Sequence, residues 1–518
     1  MGAAPAGLMR DLIVLSDLHL GRGYDAARKR WRRLEAFLYD EDFLAFCRWL
    51  CRSQREQLPP LALVLNGDVF DFLRIEPEPR PGAGAERAFA PLLTPPAAAR
   101  MARDVLAGHP AVALGLAEVL AAGHEVVFLP GNHDLEVQWE PVQAAIAEAL
   151  VARLEELGAP PGAVSRLSFA PWFLHEPGRV WIEHGCQYDP ENAFRFPLRR
   201  GLAEGPLAAT VAERDMPLGN FFQRYLYNAF GSVTFIVPST RANYRYFRHL
   251  LANRPRLLLR VALSHGRFLI QVLRRLARVP ELGWQEEAER AHRAELGAVA
   301  AASGLGDRLE AVDRLKFTRA DAARAAAGML RQAGKLVIGA AATVLAGLLV
   351  FTAATSAIAS LQYGVGWKAL LSLAVYLVFG ALLAAGAVAS ALRVPADVAP
   401  GTMAAAAGRI AALLDVPLVT FGHSHEETVR PLARAGRDPA WYFNTGTWLA
   451  VFTHDLFLPR ERVQYTFLRV QGTSAELLRW SPERERALPV ILLEEDPPGW
   501  EESGAPGPAS GGPPRPEA

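Results

Sequence analysis

The sequence is poor in cysteine, in net charge and in any leader-like start. Three cysteines occur in 518 residues, Cys47, Cys51 and Cys186. So sparse and odd a set excludes a disulfide framework and fits a reducing compartment. Cys47 and Cys51 are four apart, on one face if that segment is helical. They read either as zinc ligands, for which no His or Cys partner stands near in sequence, or as two core thiols, the plainer reading. Lys+Arg is 55 and Asp+Glu is 54, a formal net charge of +1. No global field therefore favours nucleic acid or an acidic partner, and any electrostatic preference must be local. Residues 1–12 hold no apolar run of signal-peptide length. The run Leu12–Leu15 is short and leads straight to Asp17, so it reads as a first buried strand with the N-terminus kept in the cytosol. No internal repeat is visible.

Hydrophobic residues make up 51% of the chain, enough for most of it to fold. The length exceeds one ordinary core and predicts one large domain with substantial additions. The first third alternates short apolar runs, Leu12–Leu15, Leu61–Leu65 and Glu125–Leu129, with helical stretches such as Trp31–Arg52 and Ala111–Ala122. Each run ends in polar residues, the pattern of an α/β fold whose sites gather at the C-terminal strand ends. Arg179–Glu183 reads as a further strand, as do Pro417–Phe421 and Trp441–Asn444. Between them, residues 192–334 read as a basic helical insertion and 335–393 as an apolar helical hairpin. The domain of 1–191 then resumes over 394–490. The last segment, 491–518, is rich in Pro, Gly and Glu and reads as a disordered tail.

Five short motifs stand at predicted strand ends: Asp17-Leu18-His19, Gly67-Asp68, Gly131-Asn132-His133-Asp134, Glu183-His184-Gly185 and Gly422-His423-Ser424-His425. Each alone is weak, because a lone strand-end His is more often structural than a ligand. Together they place many hard and borderline metal-ligand side chains where one site would gather them. Two divalent ions about 3.5–4 Å apart clamp the attacking and leaving oxygens of a phosphoryl displacement. A carboxylate can bridge them while imidazoles and a carbonyl oxygen complete the shells. Mixed N/O ligands suit Mn, Fe or Zn better than Ca, and Mn2+ is the first expectation. The glycines at 67, 131, 185 and 422 fit tight turns beside the ions.

The five motifs, in this order, resemble those of the calcineurin-like metallophosphoesterases, over roughly 1–190 and 415–480. The resemblance implies a β-sandwich flanked by helices, with two divalent metal ions. It implies one ion held by Asp17, His19, Asp68 and His425, and a second held by Asp68, Asn132, His184 and His423, with Asp68 bridging. It further implies a bridging water or hydroxide as nucleophile, and His133 as the group that stabilises or protonates the leaving group. Asp71, three residues after Asp68, stands where relatives among the protein phosphatases carry an Asp that orients this His. It also reads as a turn residue capping the next segment. After Asp71 this chain has Phe72-Leu73 where those relatives have Arg-Gly.

Ser16-Asp17-Leu18-His19-Leu20-Gly21, Gly67-Asp68-Val69-Phe70-Asp71-Phe72 and Glu183-His184-Gly185 are more similar to the bacterial UDP-2,3-diacylglucosamine pyrophosphatases. Those enzymes hydrolyse a pyrophosphate in a lipid-linked sugar nucleotide at the membrane surface. Their Gly-Asn-Arg-Asp stands here as Gly131-Asn132-His133-Asp134, and their insertion is much shorter.

Leu336–Ala359 and Ala369–Leu392 are 24 residues each without a charge. At ~1.5 Å per residue each reaches ~36 Å, enough for a ~30 Å hydrocarbon core. Gly339, Thr343 and Gly347, and Ala381, Ala385 and Ala389, repeat small residues every four positions, as closely packed helices in lipid do. A buried hairpin in a large soluble core is the alternative. Four motifs precede the hairpin and one follows, so both flanks must lie on one side and an even number of spans is required. Arg324, Arg331, Lys335 and Arg393 flank it, against Lys368 alone in its loop, which places the main domain on the cytoplasmic side.

From Arg241 to Arg278 there are ten Arg and no Asp or Glu. On a helix, Arg256, Arg260, Arg267, Arg274 and Arg278 share one stripe opposite Leu258, Val261, Phe268, Val272 and Leu276. Such a helix suits a surface of anionic lipid. It also suits packing on the main domain, or single-stranded nucleic acid given Tyr244, Tyr246 and Phe247. The expectation is a membrane-anchored, two-span phosphoesterase facing the cytoplasm, with the lipid bilayer and a phosphorylated, lipid-linked phosphodiester or pyrophosphate as partners. Nucleic acid is not expected as one. A soluble nucleotide or phosphoprotein substrate, or a non-catalytic scaffold of the same fold, are the alternatives.

Overall fold

The computed structural model describes residues 9–53, 60–75, 94–198, 215–224, 284–317, 345–392, 402–434, 436–452 and 463–492, with 228, 235–236, 256, 339 and 342 besides. The chain divides into two compact units, Met1–Thr318 with Ala399–Ala518, and Arg319–Val398. The first is a domain interrupted by the second, as the motif order requires.

The first unit is mixed α/β. Its larger sheet has, in spatial order, Arg486–Pro489, Ser474–Ser481, Thr466–Gln471, Leu12–Leu15, Ala62–Asn66, Glu125–Leu129 and Leu167–Phe169. The four strands from Leu12–Leu15 to Leu167–Phe169 are parallel, and Thr466–Gln471 joins Leu12–Leu15 antiparallel. The second sheet runs Glu427–Leu432, Ala440–Thr445, Leu418–Phe421, Val180–Glu183 and Phe173–Glu176, with its middle three strands parallel.

Side-chain alternation tells how the sheets pack, because successive residues of a strand face opposite sides. Leu12, Val14, Ala62, Val64, Val127 and Leu129 of the first sheet share one buried cluster with Val180, Ile182, Leu418 and Phe443 of the second. That cluster is the sandwich interior. The intervening residues, Ile13, Leu15, Leu63, Leu65, Val126 and Phe128, face the other way. They pack on the helices Asp40–Ser53, Pro95–Gly108, Pro110–Ala121 and Glu140–Glu156. Trp181, Val419 and Phe421 point outward from the second sheet onto Thr402–Leu414, Trp284–Ser303 and Asp307–Asp313. The result is helix, sheet, sheet, helix, the expected helix-flanked sandwich.

The first helix begins at Asp40, not at Trp31 as the sequence reading has it. Trp31 instead ends a short hairpin of Tyr24–Asp25 with Arg30–Trp31. The buried Glu35 carboxylate accepts N–H bonds from Gly21, Gly23, Ala36 and Phe37, which ties this stretch into a turn. Asp40, Glu41 and Asp42 then supply the acidic first turn that favours a helix start. Cys47 is buried in the core and Cys51 half-buried beside it. Burial pushes both thiols up, Cys51 to about 11, and neither stands in a group of possible metal ligands among the described residues.

In the second unit, Leu345–Ser360 and Val365–Leu392 are apolar helices. Among the described residues no single helix is long and apolar enough to cross a membrane. The apolar stretches Leu345–Ser360 and Val365–Gly380 fall in the 10–17 residue range. Their large side chains are nonetheless open: Leu349 is 63% exposed, Trp367 66% and Leu377 66%. Phe351 packs against Phe379, the ring that a side chain at Gly347 would strike. Thr343 and the side chains of Ala381, Ala385 and Ala389 lie outside the described residues, as does the 493–518 part of the tail.

Candidate metal centre

Every one of the five motifs stands just past the C-terminal end of a sheet strand, and together they converge on one site. Asp17 and His19 follow Leu12–Leu15, and Asp68 follows Ala62–Asn66. Asn132 and His133 follow Glu125–Leu129, His184 follows Val180–Glu183, and His423 and His425 follow Leu418–Phe421. Parallel pairing within each sheet puts these ends on one edge of the sandwich. Backbone strain gathers there too. Of nine non-glycine residues with positive φ among the described residues, five are Asp17 (58°), His19 (51°), Asp68 (51°), His423 (67°) and His425 (59°). A left-handed backbone is costly for such residues, and it persists where the surroundings hold it for a function.

The glycines serve two different needs. Gly67 has φ +80°, and a Cβ there would stand 2.5 Å from His184 Nδ1. Gly131 has an ordinary φ, and its need is for space, since a Cβ would lie 2.2 Å from Asp68 Oδ1.

Three groups of ligand atoms lie within 4.8 Å of one another: Asp17, His19 and His425; Asp68, His184 and His423; and His19, Asp68 and His133. These buried, closely spaced carboxylates and imidazoles could hold metal ions. His425 Nε2 is 3.1 Å from Asp17 Oδ1 and 3.0 Å from His19 Nε2. His184 Nε2 is 3.3 Å from Asp68 Oδ2, and His19 Nε2 is 3.7 Å from that same oxygen. Asp68 therefore stands between the two sets.

The hydrogen bonds fix which nitrogen of each ring is left for a cation. His184 Nδ1–H donates to the Asn66 carbonyl at 2.9 Å, which leaves Nε2 as the lone-pair atom. His19 Nδ1–H donates to Asp71 Oδ2 at 3.2 Å, again leaving Nε2. His423 is the reverse: Nε2–H donates to Asp189 Oδ2 at 2.9 Å, so Nδ1 is the nitrogen that could meet a cation. Asn132 Nδ2 donates to Asn220 Oδ1 at 3.1 Å, while Asn220 Nδ2 donates to the Asn132 carbonyl at 2.7 Å. The first bond turns the side-chain amide so that Oδ1 is its remaining atom, and the second, to the backbone carbonyl, holds the loop.

Asp17 Oδ1, Asn132 Oδ1 and His184 Nε2 are buried without a hydrogen bond of good geometry, although His425 and Asp68 stand 3.1 and 3.3 Å from the first and the last. Buried polar atoms are nearly always satisfied. Other unsatisfied atoms are scattered through the described residues, but these three meet at one set of strand ends and are of the types that bind Mn, Fe or Zn, so the residues present fit a metal. The charge balance agrees. Burial would raise the Asp17 carboxyl, but His425 and His184 beside it hold it well below the usual range. Asp68 is also held low against burial by His184 and His133. Burial would lower His19 and His184, yet the carboxylates push them up to about 10 and about 9. The carboxylates that raise these two rings would equally favour a metal cation beside them.

His133 is set differently. Its backbone N–H donates to Asp68 Oδ1 at 2.7 Å, and Nδ1–H donates to Asp71 Oδ1 at 2.9 Å. Its side chain is 11% exposed, where that of His19 is 0% and that of His184 2%. It borders the site on the solvent side. Asp71 plays both of the roles read from the sequence. Besides holding His133 and His19, it caps the turn Phe72–Arg74 through the Arg74 N–H at 3.1 Å.

Sequence reasoning missed three supporting residues. Asp134 stands in a motif without an assigned role. Its carboxylate accepts from the N–H groups of Gly131, Asp68, Val69 and Phe70 at 2.6–3.1 Å, which fixes the two ligand loops to each other. Burial and the neighbouring Asp68 push it up to about 7. Asp189 and Asn220 carry no sequence signal, since their roles exist only once the fold brings them to His423 and Asn132. Of the Arg stripe, Arg256 is helical and exposed, while Arg260, Arg267, Arg274 and Arg278 lie outside the described residues. No protein-family model matches the sequence, and no curated protein matches it.

Proposed function

We propose that the chain is a membrane-anchored phosphoesterase that uses two divalent metal ions, with Mn2+ the first candidate. The observation that carries this reading is the set Asp17 Oδ1, Asn132 Oδ1 and His184 Nε2, three buried unsatisfied acceptors on three strand ends around a shared Asp68. Asp17, His19, Asp68 and His425 hold one ion, and Asp68, Asn132, His184 and His423 the other. When bound, the ions supply an activated water and neutralise charge on the phosphoryl oxygens. The chain's own residues do the rest. Asp134 and the Asn220–Asn132 pair hold the ligands in register before substrate arrives. Asp71 fixes the His133 ring with Nδ1–H turned inward, which leaves Nε2 on the solvent side to meet the leaving oxygen. The substrate class is a phosphodiester or pyrophosphate carried on a lipid. The motif resemblance supports that class, and so does the exposed apolar surface of Leu345–Ser360 and Val365–Gly380.

The test is metal analysis of the purified chain together with hydrolysis of lipid-linked and soluble phosphoesters in Mn2+. Wild type is expected to hold two ions per chain and to cleave, and Asp68→Ala to lose metal and activity together. An Asp68→Ala protein with both ions and normal turnover overturns the assignment.

A further inference from the structure

The hairpin of Tyr24–Asp25 and Arg30–Trp31 is an exposed feature on a buried, clasped root. It leaves the metal centre two residues after His19, at Gly21. Its base is clasped by Glu35, which accepts from Gly23 N at 2.6 Å and Gly21 N at 3.2 Å. Buried His109 closes the clasp, with Nε2 3.3 Å from Glu35 and Nδ1 2.9 Å from Asp40. Gly23 abuts Gly108 so closely that a Cβ would lie 2.2 Å from the Gly108 carbonyl oxygen. The root is therefore fixed, while the tip carries nothing of the core.

The tip residues Ala26, Ala27, Arg28, Lys29 and Arg30 are all exposed. Residues 22–33 hold Arg22, Arg28, Lys29, Arg30, Arg32 and Arg33 against Asp25 alone. Arg28 and Arg32 approach Asp25 at 3.6 and 3.1 Å, and Arg22 pairs with Asp104 at 2.7 Å. Lys29 and Arg30 have no ion pair among the described residues. Directly across the hairpin Tyr24 meets Trp31, rings 5.6 Å apart and edge to face. Both remain open, at 42% and 37%.

We infer that this hairpin docks on an anionic lipid surface. Each Lys or Arg near such a surface contributes about 1 kcal/mol, and a Tyr–Trp pair suits the headgroup layer, where rings sit with one side apolar and one wet. Charge complementarity selects the anionic headgroup. The ring pair on a rigid root, beside cations that need no flexibility to reach a plane, favours a flat surface over a threaded nucleic-acid strand. The inference deepens the membrane reading above. Because the root leaves the site within two residues of His19, docking of the tip sets the orientation of the metal centre relative to headgroups, which a tether alone does not do.

The test uses the full chain with Ala27→Cys carrying an environment-sensitive fluorophore, in phosphatidylcholine vesicles with or without phosphatidylglycerol. Wild type without Ala27→Cys reports any labelling of Cys51. With phosphatidylglycerol the emission is expected to shift to the blue and to be quenched by lipid-borne nitroxides. High salt should reverse the shift, and phosphatidylcholine alone should not produce it. Adding K29E/R30E is expected to weaken tip docking by at least about 30-fold. Metal content and hydrolysis of a small soluble phosphodiester should stay at the wild-type level. A label that stays in water in both vesicles overturns the inference, as does an equal shift in phosphatidylcholine alone. A shift produced by single-stranded RNA in place of the anionic lipid also overturns it. Failure of the anchor is read separately, as failure to float with phosphatidylcholine vesicles, and leaves the tip's response to phosphatidylglycerol measurable.

Discussion

Asp71 holds His133 through one oxygen, Oδ1 to Nδ1 at 2.9 Å, and turns its other oxygen to His19 Nδ1 at 3.2 Å. One carboxylate thus orients the group proposed to meet the leaving oxygen and a proposed metal ligand. His133→Ala is expected to lower kcat by roughly 10²–10⁴-fold with metal content unchanged. Asp71→Asn is expected to lower kcat as well, and also to weaken metal binding by about 10–100-fold, because it disturbs His19. Metal titration beside steady-state kinetics separates the two. Loss of metal in His133→Ala means that His133 is a ligand.

Asn220 belongs to neither proposed ligand set, yet it holds Asn132 twice, through the side-chain Nδ2 and through the backbone carbonyl. Asn220→Ala is expected to cost about 10–100-fold in affinity for the second ion while sparing the first. Stepwise metal titration checks this. Equal loss at both positions assigns Asn220 a general folding role.

His109 supplies a pH dependence away from the metals. Burial would lower it, but Asp40 and Glu35 push it up to about 9 from its usual 6.5. Its folded pKa is raised, so its contribution is complete below about pH 6.5 and is lost as pH rises through 9. Wild type is expected to lose on the order of 2–3 kcal/mol of unfolding free energy across that window. His109→Gln should start less stable and show a flatter profile. Denaturant unfolding between pH 6 and 10 measures both slopes, and parallel profiles exclude His109 as the source.

The apolar helices give a partitioning test. Wild type is expected to stay with membranes in high salt. A chain with Leu345–Leu392 replaced by a short polar loop should be released and still cleave a small soluble phosphodiester. Retention of that variant on membranes in high salt assigns the anchor elsewhere.

Much of the sandwich was legible because its strands announce themselves. Leu12–Leu15 and Glu125–Leu129 are apolar runs closed by polar residues, and the structure has them with those bounds. The ligand motifs were legible for the same reason, since a strand end is a position that local sequence defines. The start of the first helix was not, because Glu35 binds backbone groups of Gly21 and Gly23, far outside any helical window. Asp189 was hidden likewise: its partner His423 is 234 positions away. The C-terminal ladder of Thr466–Gln471, Ser474–Ser481 and Arg486–Pro489 carries no metal motif to draw attention to it, although its register against Leu12–Leu15 completes the larger sheet.

The His423 backbone N–H donates to Asp17 Oδ2 at 3.0 Å, and Leu12–Leu15 takes Thr466–Gln471 as its antiparallel neighbour. These contacts order events during synthesis. When the ribosome has finished residue 398, both apolar helices have been made, yet His423, His425 and the strand that flanks Leu12–Leu15 have not. A nascent chain at that length has Asp17, His19, Asp68 and His184 but no complete ion-binding position. If the two positions hold ions as proposed, both are completed late, after the apolar helices are made, and a product truncated before Phe421 is expected to bind neither ion fully.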